Sequence, residues 1–247
     1  IVDLASVEAA IDARTRVLLL VNPNNPTGNY VSADDLDRIS ELCASRGIAV
    51  ISDEVFADYD LQADTHVARG RLTSRADVLG FSLGGLSKSI GLPQAKLGWI
   101  GVSGPAAAVA ETMPRLELAC DTYLSVSTPV QLAAPALLRR GADVRHQIQA
   151  RVRQNLARCL ALVTAYPACT LLHAEGGWYA VVRVPTVMPE EALMLRLLDE
   201  HGVLAHAGYF FDFAHESYLI VSLLPPEPVF EAGVSRVLAC AGMAHQP

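Results

Sequence analysis

Arg16-Val17-Leu18-Leu19-Leu20-Val21 runs directly into Asn22-Pro23-Asn24-Asn25-Pro26-Thr27-Gly28. A continuous apolar run stopped by Asn and Pro is the pattern of a strand covered on both faces in a parallel sheet. The next residues predict a helix: Ser32 and Asp35 make a capping box, Leu36, Ile39, Leu42 and Cys43 line one face, and Gly47 is the stop. Ile48-Ala49-Val50-Ile51 reads as the following strand. Strand, turn, helix and strand together predict a right-handed crossover unit, whose ligands bind at the carboxyl ends of strands. Asn25 and Asp53 both fall at such ends, so the class is α/β and the search for function begins there.

Outward from this unit, Ser6 is a cap for a short first helix. Strands are predicted at Val78 to Ser82 and Leu97 to Val102, with Lys88 in a glycine-rich turn between them (Gly84, Gly85, Gly91). Helical segments follow at Pro105 to Ala119, interrupted by Pro114, and at Val126 to Arg139. Gly141 reads as a domain hinge, dividing residues 1–140 from 141–247. From Ala142 to about Ala165, Val144, Ile148, Val152, Leu156, Leu160 and Val163 recur at spacings of three or four, and Arg145, Arg151, Arg153 and Arg158 make a solvated face. Strands near Thr170 to His173, Trp178 to Val184, Val203 to Ala205 and Tyr218 to Leu223, with helices at Pro189 to Glu200 and Glu227 to Ala239, give a smaller α+β unit.

Composition excludes several classes. A chain of 247 residues that is 51% apolar can bury a large core. The formal charge of -7 leaves no basic excess for a nucleic-acid surface. No apolar stretch reaches the roughly 18 residues of a membrane helix, so no membrane partner is expected. Five cysteines without a CxxC pair read as reduced, buried small hydrophobes, which suits the cytoplasm. The mean hydropathy of +0.30 is high, as an uncovered partner surface or the many alanines would make it. His173, His201, His206 and His215 have no metal-ligand spacing, and no metal is predicted.

Two further motifs stand downstream of the Asn-Pro turn. Ser52-Asp53-Glu54 ends a strand, and Ser87-Lys88-Ser89-Ile90-Gly91-Leu92-Pro93 leads to Lys96-Leu97-Gly98-Trp99. In their order along the chain, the three resemble the active site of the class I/II, fold-type I aminotransferases, which use pyridoxal 5'-phosphate. The resemblance runs over nearly the whole chain. It implies a partial large domain, with a mainly parallel sheet and helices on both faces, then a smaller C-terminal α+β domain. By the same resemblance, about the first third of such a protein would precede Ile1.

Each need of that cofactor has a candidate. Lys88 would form the Schiff base and later move the proton at the substrate Cα; taken alone it reads as a solvated loop lysine. Asp53 would face the pyridine nitrogen, where its charge would raise the nitrogen's pKa; otherwise it is a cap. Asn25 would donate to the phenolate oxygen, or serve only to shape the turn. Ser87, Gly85 and Lys96 are the candidates around the phosphate.

The departures from the family pattern are specific. Phe56 stands where a tyrosine usually donates to the phenolate oxygen, which implies a Schiff base that titrates above the family's usual range. Gly85 replaces a phosphate-binding serine, and Lys96 replaces an arginine that would fork onto the phosphate. The backbone amides of Gly84 and Gly85 could compensate. Ile220 aligns with the arginine that grips the substrate carboxylate. Arg183 is a substitute or a surface residue, and Trp178 and Tyr179 read as core or cleft wall. Asp121, Thr122 and Tyr123 occupy the region of a second substrate arginine, which disfavours acidic substrates.

The resemblance implies an aminotransferase that moves an amino group from an amino acid to a 2-oxo acid, working as a homodimer. A carbon–sulfur β-lyase on the same scaffold and a non-catalytic aminotransferase-like module or fragment are the alternatives.

Overall fold

A computed structural model describes residues 2–62, 69–186, 188–215 and 217–243. The chain divides into two compact units, the first formed by Ile1–Asn24, Asn29–Asp58 and Asp64–His146, the second by Asn25–Gly28, Tyr59–Ala63 and Gln147–Pro247.

The first unit begins with α1 (Leu4–Ala10), capped by the Asp3 carboxylate rather than by Ser6, whose backbone N–H is the donor to that cap. Then come β1 (Val17–Val21), α2 (Ala33–Arg46) and β2 (Ala49–Asp53). The signals that bound α2 act locally. Ser32 Oγ accepts from Asp35 N–H at 3.0 Å, and Gly47 closes the other end in the left-handed region at φ 65°. After a 3₁₀ turn at Leu72–Ser74 follow β3 (Gly80–Gly85), the four-residue helix α3 (Leu86–Ser89), β4 (Gly98–Ser103) and α4 (Ala106–Tyr123). The sheet order is β1-β2-β3-β4, with β1, β2 and β3 parallel and β4 antiparallel to β3.

Leu36, Ile39 and Cys43 of α2 pack with Leu20 and Val50 into the core of this unit. The apolar run of β1 implies burial on both faces, but only one is covered. Leu18 and Leu20 point toward α2, whereas Leu19, on the opposite face by strand alternation, is 64% exposed.

The helix predictions need two corrections. Pro114 does not interrupt α4, which continues for 18 residues with proline inside it. Gly141 does not end a helix either: α5 (Thr128–Val163) is one helix of 36 residues that passes from the first unit into the second. Glycine is needed at 141 because a Cβ there would lie 2.4 Å from Ile90 Cγ2.

The second unit holds the rest of α5, β5 (Thr170–Leu171), β6 (Tyr179–Arg183), α6 (Glu190–His201), β7 (His206–Ala207), β8 (Tyr218–Ser222) and α7 (Glu227–Met243). Its sheet order is β5-β6-β8-β7, antiparallel throughout. β7 lies after the predicted Val203 to Ala205, because its two residues are strand only through pairing with Leu219 and Ile220. The arginines of α5 are not simply solvated: Arg145 pairs with Asp58 at 3.3 Å, Arg153 Nε donates to the Asp60 carbonyl at 2.7 Å, and Arg158 pairs with Glu231. Four cysteines are buried, but Cys120 is exposed, since no residue of α4 is buried.

Two buried polar side chains organise the second unit. Asn155 Nδ2 donates to the carbonyls of Leu223 and Pro225, both at 2.9 Å. Glu190, in the first turn of α6, accepts from Tyr218 N–H at 2.7 Å and Tyr209 N–H at 3.1 Å. Asn155→Ala removes a donor from two carbonyls in one step, at a cost of about 2 kcal/mol, to be read as a lower urea midpoint with unchanged slope.

Candidate active site

The carboxyl ends of the parallel strands carry the first unit's candidate residues. Register places Val21 beside Asp53 and Asp53 beside Leu83. Backbone bonds continue this edge past the strands, from Asn22 N–H to the Asp53 carbonyl at 2.8 Å and from Glu54 N–H to the Leu83 carbonyl at 3.0 Å. Asp53 Oδ1 accepts from Val55 N–H at 3.2 Å, which fixes its rotamer at the strand tip.

Lys88 lies two residues into α3 rather than in an open turn. Leu86 and Ile90 on either side of it are buried, and Leu92 N–H returns to the Leu86 carbonyl at 3.0 Å. The lysine is half-buried, and its Nζ sits 5.6 Å from the centroid of the buried Phe56 ring, within cation–π range. Phe56 therefore offers Lys88 a ring face and no hydroxyl donor.

Ser87 is half-buried, and Ser89 is buried with an Oγ that has no hydrogen-bond partner among the described residues. Gly85 is bare for a steric reason, because a Cβ would lie 3.1 Å from the Leu97 carbonyl oxygen. At Gly84 it would lie 2.3 Å from the Trp99 indole nitrogen. Lys96 is exposed, in the left-handed region at φ 52°, and closes the turn before β4.

Glu54 was not singled out as a site residue. Burial pushes its carboxyl above the ordinary range, against the hydroxyls of Ser52 and Ser82 and the charge of Arg71, which pull it down, while the Asp53 charge adds to the rise. Two acids side by side on a strand end signalled that one needed a partner; Ser52 comes from the same strand, whereas Ser82 comes from β3 and Arg71 from the cap of the 3₁₀ turn.

Asn25 belongs to the second unit and is exposed, at the head of a turn whose far end, the buried Gly28, is tied to Glu175 and Gly176 by backbone bonds of 3.0 and 2.8 Å. Both Asn–Pro bonds of the motif are cis. Gly28 has φ 74°, and a Cβ there would lie 2.6 Å from the Gly176 carbonyl oxygen. Asn22 also has a role the sequence did not announce, its side-chain oxygen accepting from Val31 N–H at 3.0 Å. Ile220 is fully buried opposite Val181 and His206, and Arg183 is exposed at the end of β6. Trp178 packs edge-on against Tyr59 at 5.0 Å. Among the described residues no three His, Cys, Asp or Glu side chains cluster as a metal site, and no helix is long and apolar enough to cross a membrane.

Comparison with known proteins places this arrangement. The family described as aminotransferase class I and II matches residues 2–232. The chain belongs to that family. It is 32% identical over 244 residues to the arginine–pyruvate transaminase of Pseudomonas aeruginosa, covering 97% of this chain and 60% of that one. It is 34% identical over 141 residues to an S-alkyl-thiohydroximate lyase of Arabidopsis thaliana, covering 56% of this chain and 30% of the lyase. Alanine aminotransferase from Pyrococcus furiosus superposes with a TM-score of 0.82 at 24% identity, over 95% of this chain and 59% of that one, which shows the fold-type I architecture. The chain spans 60% or less of the length of each.

The family uses pyridoxal phosphate, and this chain's own residues fit it. A lysine amine, a strand-end carboxylate and an orphaned buried serine hydroxyl occur together in the first unit, with two glycine amides beside them.

Gly141→Ala drives a methyl into Ile90, two residues from Lys88; a loss of about 1–3 kcal/mol and lower cofactor saturation are expected by calorimetry and absorbance. The raised carboxyl of Glu54 means the folded state holds its proton more tightly, so its contribution is present at acid pH and is lost as pH rises through the raised value. Glu54→Gln should therefore raise the melting temperature at pH 7, with the gain vanishing toward about pH 4.

Proposed function

We propose that this protein is a pyridoxal-phosphate-dependent aminotransferase acting on an amino acid and a 2-oxo acid. The observation that carries this is that Lys88 lies on the short helix directly after β3, the strand whose Leu83 pairs with Asp53, in a chain of the aminotransferase family. The bound cofactor supplies an electron sink for the bond broken at the substrate Cα.

The residues divide the work. Lys88 would hold the cofactor through its amine and would be the base that moves the proton at the substrate Cα. Asp53, its rotamer set by Val55 N–H, would face the ring nitrogen, where its charge would favour the protonated form. By resemblance Asn25 would be the donor to the cofactor's phenolate oxygen, and Ser87, Lys96 and the Gly85 amide would hold the phosphate. Phe56 supplies a wall. The buried hydrocarbon of Ile220 means that the substrate carboxylate is held by another group.

On this reading residues 1–140 belong to the cofactor-binding domain and 141–247 to the C-terminal domain. The protein acts as a cytoplasmic homodimer.

A β-lyase reading is favoured by one observation, the 34% identity to the Arabidopsis lyase over 141 residues. Incubating the protein with cofactor and candidate amino acids, with and without a 2-oxo acid acceptor, separates amino transfer from release of pyruvate. Lys88→Ala should abolish the visible absorption band formed with cofactor and lower turnover about a thousandfold or more. A wild type with no such band would leave the non-catalytic module as the correct description.

A further inference from the structure

Where the first unit's sheet faces α2, Leu20 of β1 stands level with Ser52 of β2 and Ser82 of β3. Leu20 and Val50 on that face join the apolar core, but the two serines are buried beside them and need an acceptor. Glu54 supplies it. Its backbone extends the β2 ladder by one residue, through the bond to the Leu83 carbonyl, so alternation turns its side chain to the serines' face and away from that of Asp53. Ser82 Oγ donates to Glu54 Oε1 at 3.4 Å, and the Ser52 hydroxyl also acts on this carboxyl.

The place of this contact bears on Lys88. Ser82 is the last polar side chain of β3 before Leu83, Gly84 and Gly85 lead into α3. The two glycines have no side chains to pack, and the Trp99 indole lies so close over Gly84 that it excludes even a methyl. On this face the chain entering the lysine-bearing helix is therefore fastened at Ser82, and Glu54 is the fastening. Through its main chain the same residue follows Asp53 and holds Leu83. One residue thus links the strand end that carries the carboxylate to the strand that delivers the amine.

The fold itself does not need the charge. Burial opposes ionisation of Glu54, as does Asp53 beside it, and the two serines and Arg71 only partly offset them. Tyr30, Asp58 and Arg69 are the other ionisable groups around the same space. A glutamine of the same length would be easier to bury at neutral pH, yet it has one acceptor oxygen for two hydroxyls. A group that costs the fold stability where a neutral one would fit points to function.

We propose that Glu54 is a positioning residue for amino transfer: its carboxylate, accepting from Ser52 and Ser82 together, fixes the helix of Lys88 relative to Asp53. This rests on the function proposed above. Lys88 and Asp53 do the chemistry, and Glu54 acts through the two strands that carry them.

Glu54→Gln, Ser82→Ala and the double variant are compared by hydrogen exchange without cofactor and by turnover with it. In the unloaded protein each single variant should exchange the amides of residues 84–92 about tenfold faster, while those of α2 stay protected. With cofactor, each should lower kcat about tenfold and leave KM within about twofold, since geometry is lost and binding is not. The double variant should fall within about twofold of either single one, because both act on the same contact. Glu54→Gln should be slower although more stable at pH 7, a combination that a merely structural residue does not produce. Unchanged exchange over residues 84–92, kcat losses that multiply in the double variant, or loss of stability together with rate in Glu54→Gln would each overturn the proposal. A wild type that forms no absorption band with cofactor overturns the enzymatic reading instead, and the exchange comparison still decides whether Glu54 holds this segment.

Discussion

Parallel pairing of β1, β2 and β3 in one register is the constraint on which the first unit's chemistry depends. It sets Val21, Asp53 and Leu83 level, so the chain leaves three strands at a common edge. Because strand side chains alternate, a slip of one residue would turn Asp53 to the other face and bring Glu54 to its place. The register is held from one side by α2, whose Leu36, Ile39 and Cys43 lock onto Leu20 and Val50. Beyond Leu83, β3 needs only two glycines before the chain turns into the lysine-bearing helix.

What the sequence revealed and what it hid differ by the range of the interaction. The boundaries of α2 were legible because a serine hydroxyl three residues from the N–H that donates to it and a glycine in the left-handed region act within a few bonds. The strand ends bearing Asn22 and Asp53 were legible for the same reason. Lys88 was legible through the order of three motifs. Its immediate surroundings were not, since the Phe56 ring lies 32 positions upstream and reaches Lys88 only through sheet pairing.

The misread features follow the same rule. Gly141 carries the local mark of a break, yet its bareness answers to Ile90, a residue distant in sequence. Asn155 sits on α5 among apolar positions, where spacing alone predicted a spine through Leu156 and Leu160. The buried line instead runs through Val152, Asn155, Cys159 and Val163, because two carbonyls of the chain leaving β8 need a donor. Glu190 is similar, a carboxylate at a helix start that is claimed by N–H groups near residues 209 and 218. Polar groups with distant partners leave no periodic trace, and they account for most of what the pattern missed.

The cysteines carry a consequence for watching this protein move. Cys43 lies in the core of the first unit and Cys159, Cys169 and Cys240 are buried in the second, each with its thiol pushed up by burial, Cys159 to about 12. Thiolate, the reactive form, is thus suppressed wherever the fold is closed. Only Cys120 is open to solvent, on α4. A thiol reagent would mark Cys120 first and reach the others only as their surroundings open, so the order of labelling along the chain would time the opening of each unit without any introduced probe.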